Sequence, residues 1–319
     1  MPNRGSTAYD VLSMGRVGVD LYPLQVGVPL EAVDTFGKFL GGSAANVAVA
    51  AARLGRRAAL IGKVGTDPFG RFVRGDLERL GVSTEFVGTS PRPTPLTFCE
   101  RYPPNRFPLF FYGGSASPAL TLSADELPRA AIGAARVFWV TLTGLSYEPS
   151  RTAHLEALRE RHRTPWTVLD LDFRPDFWPG GEAQARELAR AAIRGCTVVV
   201  GNGDECRVAT GETDPRTAAA RLLDLGVQLV VVKTGPDGVI ALTRAGTWAV
   251  PGYRVEVVNG LGAGDAFGGA LCHGLLGGWS LERTLRFANA AGAYVTTFVE
   301  CADAMPTPAD VTAFMARWV

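Results

Sequence analysis

Leu229-Val-Val-Val232 and Val198-Val-Val200 are runs built entirely of apolar residues. A strand with one wet face alternates apolar and polar residues, so an unbroken apolar run indicates a strand covered on both faces. Similar runs alternate with segments of helical spacing, such as the alanine-rich stretch Ala44 to Leu54, which is closed by Gly55. This alternation predicts an α/β fold with a mostly parallel central sheet and helices on both of its faces.

The alternation can be followed through most of the chain. Predicted strands are Val11 to Met14, Ala58 to Val64, Arg136 to Thr141, Thr167 to Asp172, Thr197 to Gly201 and Leu229 to Lys233. Predicted helices are Ala44 to Leu54, Phe69 to Leu80, Arg151 to Arg161, Ala183 to Ile193 and Pro215 to Leu225. Each helix lies between two strands, as a parallel sheet requires.

Two stretches, 16–40 and 93–113, break this pattern. Both are rich in proline, aromatic and β-branched residues and lack a helical period. They predict a small second sheet beside the carboxyl ends of the main strands, where a substrate lid would lie. No flexible linker or internal repeat interrupts the chain, so residues 1–319 are expected to form one domain with this lid inserted.

Composition excludes several classes of protein. The chain is 47% hydrophobic with a formal charge of +1, which gives no basic surface for nucleic acid. Five scattered cysteines without C-x-x-C spacing indicate reduced thiols and no zinc site. No apolar run is long enough for a membrane span, and the polar first ten residues do not resemble a signal peptide. A cytoplasmic location is therefore expected.

The stretch Asn259-Gly-Leu-Gly-Ala-Gly-Asp265-Ala-Phe267 carries the clearest chemistry. Small residues let backbone N–H groups converge on an anion, and a helix beginning near Asp265 adds the positive end of its dipole. A carboxylate beside that anion could accept a proton from an attacking hydroxyl. The stretch therefore suggests phosphoryl transfer, although a glycine-rich turn capped by an aspartate explains it equally well.

A second polar cluster lies early in the chain. Gly41-Gly42-Ser43-Ala44-Ala45-Asn46 opens the alanine-rich helix, and Asp20 follows a strand. The glycines would expose bare backbone to a ligand, and the Asn46 amide and the Asp20 carboxylate could bind hydroxyls. Taken alone, each element is also explained as a helix start or a surface aspartate.

Together the two clusters resemble the two signatures of the PfkB family, the ribokinase-like carbohydrate kinases. Three intervening segments agree with the family in the same order: Asp170 to Trp178, Asn202 to Glu205 and Val232 to Gly238. The resemblance implies a ribokinase-like three-layer sandwich with a β-sheet lid, and a kinase that uses ATP and Mg²⁺. The chain has no G-x-x-x-x-G-K-[ST] motif, so phosphate binding would fall to the late glycines. The role of Lys233, at a phosphate or at the surface, stays open.

The resemblance also implies a role for each matching residue. Asp265 would be the base, and Gly262, Ala263 and Gly264 would form the anion hole. Asn202 and Glu205 would hold Mg²⁺ through water. Thr234, Gly235 and Asn289 would line the nucleotide site with Asn202, Gly262 and Gly264. The substrate hydroxyls would contact Asp20, Gly41, Gly42 and Asn46.

Substrate choice follows from a finer resemblance. Asp172-Phe-Arg174 is similar to an element of members that phosphorylate keto-deoxy sugar acids, in which arginine pairs with a carboxylate. Segments 15–23 and 100–112 resemble the members from myo-inositol breakdown. They imply ATP-dependent phosphorylation of the primary hydroxyl of 5-dehydro-2-deoxy-D-gluconate. Arg101 or Arg106 would assist Arg174, although a solvated sheet edge explains both lid arginines as well.

Departures from the family pattern affect the predictions for cation activation and for the substrate. Asn259, Gly260 and Leu261 stand where many relatives have Asp-Thr-Thr, so activation by a monovalent cation is not expected. Asp172 stands where the sugar-acid kinases have asparagine, and Gly113 where they often have arginine.

Three alternative functions remain. They are a kinase for 2-keto-3-deoxygluconate, ribose or fructose, a nicotinamide-dependent dehydrogenase, and a sugar or nucleotide sensor. Relatives often dimerise through the lid, and a homodimer of that kind is the one protein partner suggested.

Overall fold

The computed structural model describes residues 8–318, in which strands and helices alternate as predicted. The strands are β1 Val11–Met14, β2 Gly18–Pro23, β3 Phe36–Gly41, β4 Ala58–Gly65, β5 Val82–Ser83, β6 Val87–Ser90, β7 Leu96–Cys99, β8 Leu109–Tyr112, β9 Val137–Thr141, β10 Thr167–Asp170, β11 Val198–Asn202, β12 Leu229–Lys233, β13 Val239–Thr243 and β14 Gly246–Val250. The α-helices are α1 Ser43–Arg53, α2 Pro68–Arg79, α3 Arg129–Ala134, α4 Ser150–Glu160, α5 Gly181–Ile193, α6 Gly203–Thr210, α7 Pro215–Asp224, α8 Ala263–Leu276, α9 Leu281–Val295 and α10 Pro308–Met315.

The large sheet runs in the order β14-β13-β12-β11-β10-β9-β1-β4-β5, with β6 also paired to β4. All strands from β12 to β5 pair in parallel, and only β13 and β14 add an antiparallel edge. The carboxyl ends of β1, β10, β11 and β12 consequently meet at one edge of the sheet. In open sheets of this type, ligands bind in the crevice outside those ends.

The apolar strands are covered on both faces. In β12, Leu229 and Val231 pack with α1, α2, α8, α9 and α10, whereas Val230 and Val232 pack with helices α3 to α7 on the other face. The same alternation in β11 sends Val199 to the opposite face from Val198. The predicted α/β class and its three layers are confirmed.

A second, four-stranded sheet, which we call the lid sheet, has the order β3-β2-β7-β8. Its strands come from the two segments that break the main alternation, and β2 follows directly on the end of β1. The pairs β2–β3 and β7–β8 are antiparallel, while β2–β7 is parallel. The prediction of a small second sheet is therefore also confirmed. Within residues 8–318, no helix has the length and apolar character needed to cross a bilayer.

Candidate active site

The first helix and the late glycine segment meet through unusually small residues. A Cβ on Gly269 of α8 would lie 2.8 Å from the backbone nitrogen of Ala51 in α1, and one on Gly268 would lie 2.7 Å from the ring of Trp139. Only glycine and alanine at this contact allow the two helices to approach so closely. The approach brings the amino-terminal ends of α1 and α8 together, although 219 positions separate the residues that join there.

Asp265 lies at that meeting point. Ser43 Oγ donates to its Oδ1 and Asn46 Nδ2 donates to its Oδ2, each at 2.9 Å. The pKa of Asp265 is raised to about 6, mainly by burial and also by the neighbouring Asp172, against the lowering effect of the hydrogen bonds from Asn46 and Ser43. A carboxylate tuned toward neutral pH and fixed in orientation can act as a general base.

Gly262 and Gly264 form the start of α8 beside this carboxylate. Gly262 caps the helix with φ +79°, and a Cβ there would lie 2.9 Å from Cys301 Sγ. A Cβ on Gly264 would lie 3.0 Å from Lys233 Nζ, so the lysine ammonium stands directly over the first turn. The first N–H groups of a helix have no partner within it, and together with this cation they can bind an anion.

Lys233 reaches this position from the end of β12. Its Nζ is 4.0 Å from Asp170 Oδ1 at the end of β10. Burial disfavours the charge of Lys233, but the carboxylates of Asp170 and Glu205 outweigh it and raise the pKa of the lysine. The side chain of Lys233 is 18% exposed and turns toward the first turn of α8, so it does not extend freely into solvent.

Asp20 of β2 stands on the lid side of the cleft. Its Oδ2 accepts a hydrogen bond of 2.7 Å from Tyr22 Oη, which also lies 3.0 Å from Cys301 Sγ. A Cβ on Gly41 would collide with the Asp20 carboxylate, so the glycine makes room for it. Burial raises the pKa of Asp20 against the opposing effect of the Tyr22 bond. A side-chain hydrogen bond from Thr97 of β7 also lowers this pKa, so the carboxylate is held from two strands of the lid sheet.

Asp172 and Arg174 follow β10 and form an ion pair, with Arg174 Nη2 3.0 Å from Asp172 Oδ1. The Asp172 carboxylate raises the pKa of Arg174, whose side chain is 37% exposed. Arg101 is different, because its guanidinium is buried and donates to the carbonyls of Pro23 and Val258 at 3.0 and 3.5 Å. Arg106 is exposed and stacks on Tyr102 in the lid sheet. Of these three arginines, Arg174 reaches the cleft.

Asn202 and Glu205 form a capping box at the start of α6. Asn202 Oδ1 accepts from the Glu205 backbone at 2.9 Å, and Glu205 Oε2 accepts from the Asn202 backbone at 2.8 Å. One oxygen of the Glu205 carboxylate remains available, next to the buried Asp170. Residues 8–318 contain no group of three or more His, Cys, Asp or Glu side chains arranged to hold a metal. A metal here would therefore need water or ligand oxygens to complete its shell.

Thr234 and Gly235 form the turn after β12, and Asn289 lies on α9. Gly235 has φ +62° and open space around it, so a ligand can approach its backbone. Asn289 Nδ2 donates to Pro251 O at 3.2 Å, and the next residue, Gly252, packs against the backbone of Pro236. The structure thus brings all three residues to one rim, separate from Asp20.

Comparisons with known proteins show the family of this chain. The profile described as "pfkB family carbohydrate kinase" matches residues 9–308. The chain belongs to the PfkB family of carbohydrate kinases. A relative from Geobacillus kaustophilus named 5-dehydro-2-deoxygluconokinase is 33% identical over 317 residues, covering 97% of this chain and 94% of its own length.

Two solved structures show the same fold. The fructokinase of Xylella fastidiosa with bound ATP has a TM-score of 0.86 at 25% identity and covers 97% of this chain and 98% of its own. An E. coli protein described as a ribokinase II, in complex with ATP and Mg²⁺, has a TM-score of 0.88 at 22% identity, covering 97% and 99%. The predicted family and enzyme class are confirmed, and this PfkB chain is a carbohydrate kinase.

Sequence reasoning did not assign several residues that face the PfkB cleft. Ser43 was identified only as part of a helix start, and Asp170 only as part of a segment that matches the family. Neither residue was given a chemical role. Tyr22 lies within the matching segment 15–23 but was assigned no role, and Cys301 lies in no motif, since their contact joins β2 to a loop 279 positions away. Asp170 and Lys233 could have been predicted as site residues from the sequence. Both stand at the ends of parallel strands, and the carboxyl ends of such strands meet at the ligand-binding edge of the sheet.

Proposed function

We propose that this kinase transfers the γ-phosphoryl group of ATP to the primary hydroxyl of 5-dehydro-2-deoxy-D-gluconate, forming the 6-phosphate in myo-inositol breakdown. The observation that carries the reaction type is Asp265, clamped by Ser43 and Asn46 at the open end of α8. The relative named 5-dehydro-2-deoxygluconokinase supports the choice of substrate.

In this reaction Asp265 takes the proton of the attacking hydroxyl. Its pKa of about 6 leaves it mostly ionised at neutral pH yet still basic enough to accept that proton. The backbone N–H groups of Gly262, Ala263, Gly264 and Asp265 would stabilise charge on the moving phosphoryl group. Lys233 adds a positive charge on the same side.

We propose Mg²⁺ as the metal that accompanies ATP. The carboxylates of Asp170 and Glu205 are hard oxygen donors, and they would hold the ion together with Asn202, directly or through water. When bound, Mg²⁺ would supply positive charge that offsets the charge of the phosphates. Lys233 and the α8 N–H groups would meet the same phosphates from the other side.

The acceptor would be held from the lid side. Asp20 would accept hydrogen bonds from two hydroxyls, and the bare backbone of Gly41 and Gly42 would allow close approach. Asn46 Oδ1 is buried without a partner and is available to a third hydroxyl. Arg174 would pair with the carboxylate of the acid, whereas Arg101 would support the cleft indirectly through the Pro23 and Val258 carbonyls.

The nucleotide would lie across the rim formed by Thr234, Gly235 and Asn289. Gly235 offers its backbone to the ligand, and Asn289 fixes the loop at Pro251 that borders the adenine side. Its triphosphate would then run from this rim past Asn202 to Gly262 and Gly264.

A neutral sugar such as ribose or fructose is the second candidate for the acceptor, while 2-keto-3-deoxygluconate is an alternative sugar acid. The favouring observation is the Arg174–Asp172 ion pair, which already satisfies part of the arginine charge. Ribose and fructose carry no carboxylate and would not need to displace Asp172.

A substrate panel tests the proposal. Purified protein with ATP and Mg²⁺ is supplied with 5-dehydro-2-deoxygluconate, 2-keto-3-deoxygluconate, ribose or fructose, and ADP release is followed by a coupled assay. We expect the highest kcat/KM for the first compound and, by ³¹P NMR, a phosphate ester on its primary carbon. A preference for any other acceptor would reject the proposed substrate while keeping the kinase.

We also propose a homodimer through the lid sheet. Four large apolar side chains of the lid segments are exposed: Leu24 at 58%, Val26 at 50%, Phe110 at 38% and Tyr112 at 58%. An exposed apolar sheet face with open edges favours association. Sedimentation velocity should give twice the mass of the chain, and Tyr112→Lys should shift it to the monomer.

A further inference from the structure

Arg16 lies in the cleft without any of the partners that arginines normally have. It follows β1 at the carboxyl edge of the sheet. Its guanidinium carbon is 4.4 Å from the ring centre of Phe177 and 5.2 Å from that of Phe111. Phe111 belongs to lid strand β8, and Phe177 lies in the short turn after Asp172. The two rings therefore hold the guanidinium plane between the lid and the main sheet.

The donors of Arg16 are not used within the protein. Among residues 8–318 the side chain has no hydrogen bond or ion pair, and its Nε is buried without an acceptor. Burial lowers the pKa of Arg16, while the surrounding carboxylates of Asp172 and Asp20 raise it. Arginine stays protonated in proteins, so the guanidinium of Arg16 keeps its positive charge and its N–H donors. These donors need an anion or another strong acceptor.

The position of Arg16 indicates whether its guanidinium faces the acceptor or the nucleotide. Its charge interacts with Asp20, Asp172 and Asp265, which border the space proposed for the acceptor. An anion bound by Arg16 therefore belongs to the acceptor or, at the farthest, to the phosphoryl group in transit.

We propose that Arg16 determines acceptor specificity by binding the carboxylate of a sugar acid. The inference rests on the proposed sugar-acid function and assigns the main carboxylate contact to Arg16, with Arg174 as its neighbour. Arg174 already forms an ion pair with Asp172. Arg16, in contrast, is held by aromatic rings, which do not use its N–H groups. A planar fork of this kind matches both oxygens of a carboxylate at once.

Binding of a non-reacting probe tests this contact without turnover. D-gluconate and its neutral counterpart D-glucitol are titrated calorimetrically into the wild type, Arg16→Gln, Arg16→Lys and Arg283→Gln. Arg283 is the matched control, because its guanidinium also stacks on a ring, at 4.0 Å from that of Trp279, on the first turn of α9.

We expect Arg16→Gln to weaken gluconate binding about 10- to 100-fold, as loss of a charge-assisted bidentate pair would do. Arg16→Lys should recover part of the loss because it keeps the charge. Glucitol binding and both titrations of Arg283→Gln should match the wild type. Gluconate binding that is unchanged in Arg16→Gln, or equal losses for gluconate and glucitol, would overturn the proposal.

Steady-state kinetics distinguish the two anions that Arg16 could bind, the carboxylate of the acceptor and the phosphoryl group. If Arg16 binds the acceptor carboxylate, Arg16→Gln raises KM for the sugar acid more than it lowers kcat, and turnover of fructose is unaffected. If Arg16 instead contacts the phosphoryl group, kcat falls equally for acid and neutral acceptors, and the proposal is wrong. A wild type that phosphorylates neutral sugars alone would refute the proposed substrate. Competition by gluconate that depends on Arg16 would then still uphold the carboxylate site.

Discussion

Asn46 Nδ2 and Asp265 Oδ2 are 2.9 Å apart, although 219 positions of sequence separate the two residues. One belongs to the first helix of the chain and the other to the first turn of α8. The bond exists because Gly268 and Gly269 let α8 approach the alanine-rich α1. The orientation of the proposed base is thus set by helix packing.

Asp265→Asn should lower kcat at least about 100-fold, because a positioned general base contributes roughly 10²- to 10⁴-fold. ATP affinity, measured by calorimetry, should stay within a few-fold of the wild type. Asp224→Asn, at the exposed end of α7, is the control and should keep full activity. Retention of more than about a tenth of kcat by Asp265→Asn would exclude the role of base.

Ser43→Ala should shift the acid limb of the pH–rate profile to higher pH. The hydrogen bond from Ser43 stabilises the ionised carboxylate and lowers the pKa of Asp265, so its removal raises that pKa above about 6. The shift should be roughly half a unit to one unit, given the strength of hydrogen bonds to charged groups. A plot of kcat/KM against pH that coincides with the wild type would show that Asp265 does not control this limb.

Asp172→Asn should have the opposite effect on the same limb. The Asp172 carboxylate raises the pKa of Asp265, so its neutralisation moves the limb to lower pH. The change also releases Arg174 from its ion pair, which should lower KM for a sugar acid several-fold. Steady-state kinetics with acid and neutral acceptors would measure both effects. An unchanged ratio of the two KM values would argue against any carboxylate contact by Arg174.

Gly262→Ala should both destabilise the protein and reduce its activity. Gly262 has φ +79°, and a Cβ would press on Cys301 Sγ at 2.9 Å beside the anion hole. Gly278→Ala is the matched control, since Gly278 has φ +64° with open space around it. Both should lose about 1 kcal/mol from the backbone conformation, and Gly262→Ala should lose more through the clash. Denaturant unfolding measures the difference, which should not exist if the Cys301 contact is unimportant.

Potassium should not activate this kinase. Asn259 is fully buried, and its Nδ2 donates to Val299 O at 2.7 Å, so this position presents a neutral amide and no carboxylate charge to a cation. Rates in KCl, NaCl and choline chloride should agree within about two-fold, a difference of roughly 0.4 kcal/mol. Asn259→Asp should introduce a preference for KCl. A strong potassium effect on the wild type would contradict this account of Asn259.

The regular parts of the fold were predictable because they depend on short patterns. The runs Val198 to Val200 and Leu229 to Val232 indicated buried parallel strands, and both lie in the centre of the sheet. The two irregular segments likewise indicated the lid sheet. Even the late glycine segment and Asp265 could be assigned to one anion site, because their chemistry lies within nine consecutive residues.

Contacts between distant segments could not be read in this way. Nothing in the local sequence indicates that Ser43 and Asn46 hold Asp265, or that Tyr22 joins Asp20 to Cys301. The burial of Arg101 against the carbonyls of Pro23 and Val258 depends equally on the folded chain. Arg16 was visible in the sequence, but the absence of its partners becomes evident only when its surroundings are known.

The contact between α1 and α8 also has a consequence for biosynthesis. A ribosome completes Asn46 early and must add 219 more residues before Asp265 exists. Until α8 has emerged and docked, the nascent polypeptide lacks the residues to which we assign proton acceptance and phosphate binding. On that proposal a chain that ends before Asp265 is unable to consume ATP, so phosphorylation begins only after most of the molecule has been made.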